Sequence, residues 1–299
     1  MTAGNPAALR RRLRVELRKL RRGAGKTQRE VADRLDWSPS KIIRIENGAV
    51  AVQPTDLRAL LEEYGVRDRR VIEELVQMAR DSKKQPWSEY KDILSQETLD
   101  LFRATASATI YREYDNVVVP GPLQTEEYTR ALMAEGFAKP EEVIDRYVEF
   151  RQEAHEALLG GDQSPTMFCL LDEGVIRRPI GGPGVMRRQL EHLREVSRNS
   201  NVSVRILPFS LGAHFGLRGQ FLHLEFGDPD DDDLLYMDNT LVDYISRDDP
   251  AMTTEYLQGF WDLEQLALPP VQSAEFLAEV AASFAAQEKG VTDSTPSEE

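Results

Sequence analysis

Thr27-Gln-Arg-Glu-Val-Ala-Asp-Arg-Leu-Asp-Trp-Ser-Pro-Ser-Lys-Ile-Ile-Arg-Ile-Glu-Asn-Gly48 decides how the N-terminal part of this chain is read. Thr27 suits a helix N-cap, and Glu30 three positions on completes a capping box. Val31, Ala32 and Leu35 share one helical face, and Ala32 is small enough to let a second helix approach. The periodicity breaks at Asp36-Trp37. Ser38 is a good N-cap, and Pro39 follows at the first helical position, where its missing N–H costs nothing. Ile42 and Ile45 lie three apart and face inward, whereas Ser40, Lys41 and Arg44 point elsewhere. Asn47-Gly48 stops the helix, because both residues tolerate a left-handed backbone. The pattern predicts two short helices joined by a tight turn. A plain surface hairpin of helices would also expose Ser, Lys and Arg, so spacing alone leaves two readings open.

The flanks narrow the choice. Leu9, Leu13, Leu17 and Leu20 form an apolar stripe on an Arg-rich helix that ends at Gly23-Ala24-Gly25. Residues 55–64 predict another helix with Leu57, Leu60 and Leu61 inward, and 68–80 a fifth. Five short helices around a small core make a complete domain. In a helix-turn-helix, the second helix enters a DNA major groove, where Arg and Lys donate to guanine O6 and N7 and short Ser side chains allow close approach. The expected DNA-contacting set is Thr27, Gln28, Ser38, Pro39, Ser40, Lys41, Arg44 and Asn47, with Gln28 at a helix N-terminus clamping a phosphate.

Residues 9–66 resemble the lambda-repressor-like, Cro-type (XRE) helix-turn-helix domain. The resemblance rests on Thr27-Gln28, Ala32, the Ile42-x-x-Ile45-Glu46-x-Gly48 close and Tyr64-Gly65. It implies a structural ion pair between Arg21 and Glu46. Asp36, where a turn Gly is usual, and Trp37 and Pro39 depart from the pattern, which bears on the target sequence more than on the activity.

The charge is unevenly shared. The 299 residues carry a formal net charge of −14. Residues 1–50 hold thirteen Arg or Lys against five Asp or Glu, a local charge of +8 that leaves −22 for the remainder. A basic head on an acidic body is the asymmetry expected of a duplex-binding module attached to something else. The single cysteine, Cys169, lies in an apolar run and is read as a buried inert thiol; one cysteine allows no internal disulfide. With no apolar stretch of membrane-spanning length and no signal-peptide core, the expected location is cytoplasmic and nucleoid-associated.

The domain plan predicted is 1–81 for the helix-turn-helix domain, 82–104 for a linker and connecting helix, 105–287 for an α+β domain and 288–299 for a disordered tail. In the α+β domain, 109–111 and 116–119 read as strand pieces, 124–135 and 140–159 as helices, and 166–171, 185–198 and 202–207 as strand, crossover helix and parallel strand. Residues 221–226 and 234–237 read as a hairpin, followed by helices at 251–267 and 272–286. The fold class expected is therefore multidomain: an all-α five-helix DNA-binding domain, then an α+β domain with a small mixed sheet.

This second part resembles the large domain that follows Cro-type modules in many actinobacterial regulators. The likeness runs through Tyr111, Val119-Pro-Gly-Pro-Leu-Gln-Thr125, Arg151-Gln-Glu153, Leu171-Asp-Glu-Gly174, Gln189, Val204-x-Ile-Leu-Pro208 and Gly219-x-Phe221. It implies an antitoxin-like regulator with a small protein partner encoded nearby.

No catalytic constellation stands out. The histidines (155, 192, 214 and 223) lack metal-ligand spacing, and only His214, in a Gly-rich segment, suggests a pocket or partner contact. His223 alternates with apolar residues in a strand and could face either way. Gly181-Gly-Pro-Gly184 lacks the Lys-Ser/Thr of a phosphate loop and reads as a turn opening a helix. Asp228-Pro-Asp-Asp-Asp-Asp233 lacks calcium-loop spacing and reads as a solvated hairpin loop. Arg151-Gln-Glu153 fits either an internal ion pair or a partner surface. The expectation is a non-enzymatic transcription regulator with no cofactor and no metal. It binds a double-stranded DNA operator as a homodimer, makes no membrane contact, and is controlled by the small protein partner. The alternative is a helix-turn-helix repressor whose C-terminal domain senses a small molecule.

Overall fold

The computed structural model describes residues 6–46, 50–82, 86–159, 164–227, 233–237, 244–246 and 249–292. The described residues divide into two compact units, one formed by those up to residue 107, the other by those from residue 108 onward. Residues 82–107 therefore fall with the first unit.

The first unit carries helices α1 (Pro6–Gly23), α2 (Gln28–Arg34), α3 (Pro39–Glu46), α4 (Pro54–Glu63), α5 (Arg69–Asp81) and α6 (Gln96–Thr105). Leu13, Leu17, Val31, Ala32, Ile42, Ile45, Leu57, Leu60, Leu61, Leu75 and Val76 make one buried cluster that joins the first five helices. The connecting helix expected within 82–104 is α6: Ser88–Tyr90 before it is a single 3₁₀ turn, and Ser95 caps α6 by accepting from the Thr98 N–H.

Three of these helices close in the same way. After α1, α2 and α4, the residues Gly25, Asp36 and Gly65 adopt φ of +67°, +54° and +77°. In each case the next N–H returns to a carbonyl five residues back: Lys26 to Arg21, Trp37 to Ala32 and Val66 to Leu61. This is the Schellman closure, which favours glycine in the left-handed slot. Asp36 holds that slot in the turn of the helix-turn-helix, at a conformational cost of roughly 1–2 kcal/mol for a side-chain-bearing residue.

The second unit is built on a six-stranded mixed sheet of order β3-β2-β1-β4-β5-β6 among the described residues. The strands are β1 (Ile110–Asp115), β2 (Thr166–Asp172), β3 (Val202–Leu207), β4 (Phe221–Glu225), β5 (Leu234–Met237) and β6 (Tyr244–Ser246). β1, β2 and β3 run parallel, and β4, β5 and β6 continue antiparallel. The β1 to β2 connection carries α7 (Glu126–Ala131) and α8 (Glu141–Leu159). The β2 to β3 connection carries the short α9 (Glu173–Arg177) and α10 (Gly182–Val196). One sheet face presents Tyr114, Leu170, Leu207, Phe221 and Leu235 to Phe260 and Leu263 of α11 (Pro250–Leu266). The last helix, α12 (Pro270–Thr292), packs along α10 and β3. It extends into the segment expected to be disordered, as far as residue 292; residues 293–299 lie outside the described residues.

One strand prediction is corrected. Residues 116–119 are a turn, because the Asp115 carboxylate accepts from the N–H groups of Val117 at 2.7 Å and Val118 at 3.0 Å. The strand instead runs without interruption through Arg112 and Glu113. Those charges are tolerated there because each has a partner: Arg112 pairs with Glu225, and the Tyr111 hydroxyl donates to Glu113. Burial, reinforced by the Asp115 carboxylate, holds Glu113 above the usual carboxylate range. Burial likewise pushes the Cys169 thiol well up, which fits an inert core cysteine.

The Val119-Pro-Gly-Pro-Leu-Gln-Thr125 motif is a hydrogen-bonded knot. Gln189, fully buried on α10, donates to Leu123 O at 2.8 Å and accepts from Thr125 N at 2.7 Å. Gln124 donates to Val119 O and accepts from the Thr129 hydroxyl, and Thr125 caps α7. A Cβ on Gly121 would stand 2.5 Å from the Arg151 guanidinium, so glycine lets that group lie against the turn. This motif fastens α7, α8 and α10 together.

Candidate nucleic-acid interface

The helix-turn-helix starts from a closed capping box. The Thr27 hydroxyl accepts from Glu30 N at 3.2 Å, while the Glu30 carboxylate accepts from Thr27 N at 2.8 Å. The Thr27 backbone and hydroxyl bonds hold the Glu30 carboxyl below its ordinary range. Across the turn, the Trp37 ring packs on the core from the edge, and the Lys41 ammonium sits 3.6 Å above its centroid.

α3 is held at its C-terminal end. Glu46, 1 % exposed, receives Arg21 Nε at 2.7 Å and a second guanidinium nitrogen at 3.0 Å. Gln28 Nε2 donates to the same carboxylate at 2.8 Å. The remaining Arg21 nitrogen caps Lys26 O at 2.8 Å. One buried carboxylate thus joins the end of α1, the start of α2 and the end of α3. Its hydrogen bond is the main reason the Arg21 guanidinium is held more firmly charged, and burial followed by the Glu46 charge raises the Tyr64 phenol. The Lys26 side chain pairs with Glu63 at 2.5 Å, tying the α1–α2 loop to the end of α4.

With Ile42, Ile45 and Glu46 turned inward, α3 leaves Pro39, Ser40, Ile43 and Arg44 exposed, and Ser38 is exposed just before it. Arg44 donates from Nε to Ser40 O at 3.2 Å, so its stem lies back along the helix. Lys41 is half-buried and pairs with Asp56 of α4 at 3.0 Å, in addition to its place on Trp37. Gln28, expected as a phosphate clamp, has its amide nitrogen engaged by Glu46. Asn47, and with it the expected Asn47-Gly48 stop, lies outside the described residues. Sequence reasoning missed Ile43, whose apolar side chain is 41 % exposed on this face. The signal was present: the inward pair Ile42 and Ile45 leaves residue 43 on the outer side of the helix.

In the second unit, the four histidines are not equally isolated. His155 and His192 interact, and burial followed by His155 lowers the His192 pKa. His214 stacks edge-on to Tyr114 at 6.2 Å. Gly181 and Gly182, with φ of +69° and +81°, form the turn that opens α10. No helix among the described residues is long and apolar enough to cross a membrane.

Residues 12–75 match the family described as Helix-turn-helix domain. Residues 98–279, more than half the chain, match the Domain of unknown function (DUF5753), and the chain belongs to that family. The first match supports a DNA-binding regulator. No curated protein and no solved structure matches the chain.

Replacing Arg21 by Met leaves Glu46 buried without its bidentate partner and is expected to cost about 3–5 kcal/mol. The double substitution Arg21→Met, Glu46→Leu is expected to lose less than either single change. Urea denaturation of the four proteins in a mutant cycle checks this, and single losses below about 1 kcal/mol would contradict a buried, interlocked pair.

Proposed function

We propose that the chain is a sequence-specific transcription regulator that reads duplex DNA with the outer face of α3 and is controlled through its second unit by a small protein partner encoded nearby. The observation that carries the DNA reading is the exposed set Ser38, Pro39, Ser40, Ile43 and Arg44 on one rigidly held helix inside a segment of charge +8. Arg44 reaches guanine O6 and N7, the serines allow close approach to base edges and phosphates, and Ile43 meets a thymine methyl. Lys41 serves from its seat on Trp37 and Asp56, adding charge near the groove. Thr27 and Gln28 act by fixing the backbone of α2. A single short helix reads few base pairs, so useful specificity calls for a homodimer on half-sites about 34 Å apart.

The partner reading is supported by large apolar side chains that stay exposed on the second unit: Phe209, Leu217, Trp261, Leu266 and Val271, with Leu217 and Val271 each 70 % exposed. The antitoxin-like assignment belongs to this reading. The proposal contains no catalytic step: Arg151 and Gln189, two polar side chains of the family-like motifs, are used in packing.

Arg44→Ala is expected to raise the Kd for a selected operator by roughly 5- to 150-fold, the equivalent of about 1–3 kcal/mol, and to relax preference at one base pair. A mobility-shift titration checks this, and unchanged affinity would refute the placement of α3. For the partner, co-expression with the product of the adjacent gene is expected to yield a complex that Trp261→Asp weakens. Equal recovery with Trp261→Asp would count against that surface.

A further inference from the structure

β4 and β5 bring three metal-ligating side chains together on the second unit. His223 and Glu225 are two apart on β4 and so share a face, and Asp233 directly precedes β5. One ligand atom from each lies within 4.8 Å of the others, a grouping made by the hairpin alone.

His223 is the informative member. It is fully buried, and neither ring nitrogen has a hydrogen-bond partner among the described residues. Its Nε2 stands 3.1 Å from Asp233 Oδ2, close enough for an ion pair but out of line for a hydrogen bond. A buried polar group left this way costs about 1–3 kcal/mol. Two donors side by side at such a distance, without a proton aligned between them, match neighbouring corners of a coordination sphere, where bonds of about 2.0–2.2 Å separate adjacent ligands by about 3.0–3.5 Å.

The surroundings are compatible with an ion. Glu225 and Asp233 side chains are 27 % and 34 % exposed, so solvent reaches the open side of the cluster. Arg112, opposite His223 on β1, pairs with one oxygen of Glu225 and leaves the other available. The two carboxylates of the triad balance the charge of a divalent ion, and with the Arg112 guanidinium included the cluster carries a single net positive charge. Leu235, opposite His223 on β5, closes the apolar side.

The geometry points to a divalent transition-metal site formed by His223, Glu225 and Asp233, with water completing the coordination. One imidazole with two carboxylates suits zinc and its neighbours better than magnesium or calcium, which favour all-oxygen sets. A bound ion staples β4 to the start of β5, so metal supply sets how firmly these two strands are held together.

The test uses the full chain, stripped with chelator and titrated with Co²⁺ and with Zn²⁺ at physiological ionic strength. The expected result is one equivalent of either ion, visible ligand-field bands with Co²⁺, and a rise in melting temperature with Zn²⁺. Asp233→Asn, a change at a partly exposed position, is expected to weaken binding at least 10-fold and to leave far-ultraviolet circular dichroism unchanged. His223→Gln is expected to abolish the Co²⁺ bands; if it fails to fold, Asp233→Asn alone decides. Absence of stoichiometric binding, or binding indifferent to Asp233→Asn, overturns the assignment.

Discussion

The buried Glu46 carboxylate is the constraint on which the head depends. A charge at 1 % exposure is tolerated only when its lone pairs are met, and here the Arg21 fork and the Gln28 amide meet them. The three donors come from α1 and α2, so satisfying one charge fixes where α3 sits. Apolar packing of Ile42 and Ile45 supplies the cohesion, but greasy contacts tolerate rotation. A bidentate guanidinium does not. The exposed face of α3 is therefore presented in one orientation, which is what reading base edges requires.

Electrostatics and geometry divide the work between the two units. The head concentrates +8 in residues 1–50 and the rest of the chain carries −22, so long-range attraction to a duplex is confined to one end. The second unit spends its buried polar groups on itself: Gln189 holds the Leu123–Thr125 turn, Asp115 holds Val117 and Val118, and Arg205 donates to the carbonyls of Ala267 and Leu268. His223, by contrast, is buried without a hydrogen-bonding partner among the described residues. A fully buried ring with both nitrogens unpartnered beside two carboxylates marks a place where something from outside is wanted.

Much of this architecture was legible in the chain itself, for identifiable reasons. Helices with leucines at regular three-four spacing, such as α1 and α4, announce their buried faces directly, and so do the apolar runs of β2 and β3 with a helix between them. β1 was harder. Arg112 and Glu113 look like loop residues until Glu225 and Tyr111 arrive from elsewhere to pair with them. Conversely Val117-Val118-Val119 looks like a strand, yet Asp115 captures the N–H groups of Val117 and Val118, the Tyr128 hydroxyl accepts that of Val119, and the chain turns. At the interface, the small and basic residues of α3 were readable, but Lys41 and Gln28 were not. Their engagement depends on Asp56, Trp37 and Glu46, partners that only the packed helices bring within reach.

The central claim is that the outer face of α3 lies against DNA bases. Cys169 is fully buried, so a cysteine introduced at exposed Ser40 is the natural point for attaching a DNA-cleaving iron chelate. With DNA selected from a random pool by the full chain, the account predicts cleavage confined to a few nucleotides facing one major groove, repeated in each half-site. Cleavage spread along the duplex, or failure of the unlabelled chain to select any sequence, would contradict it.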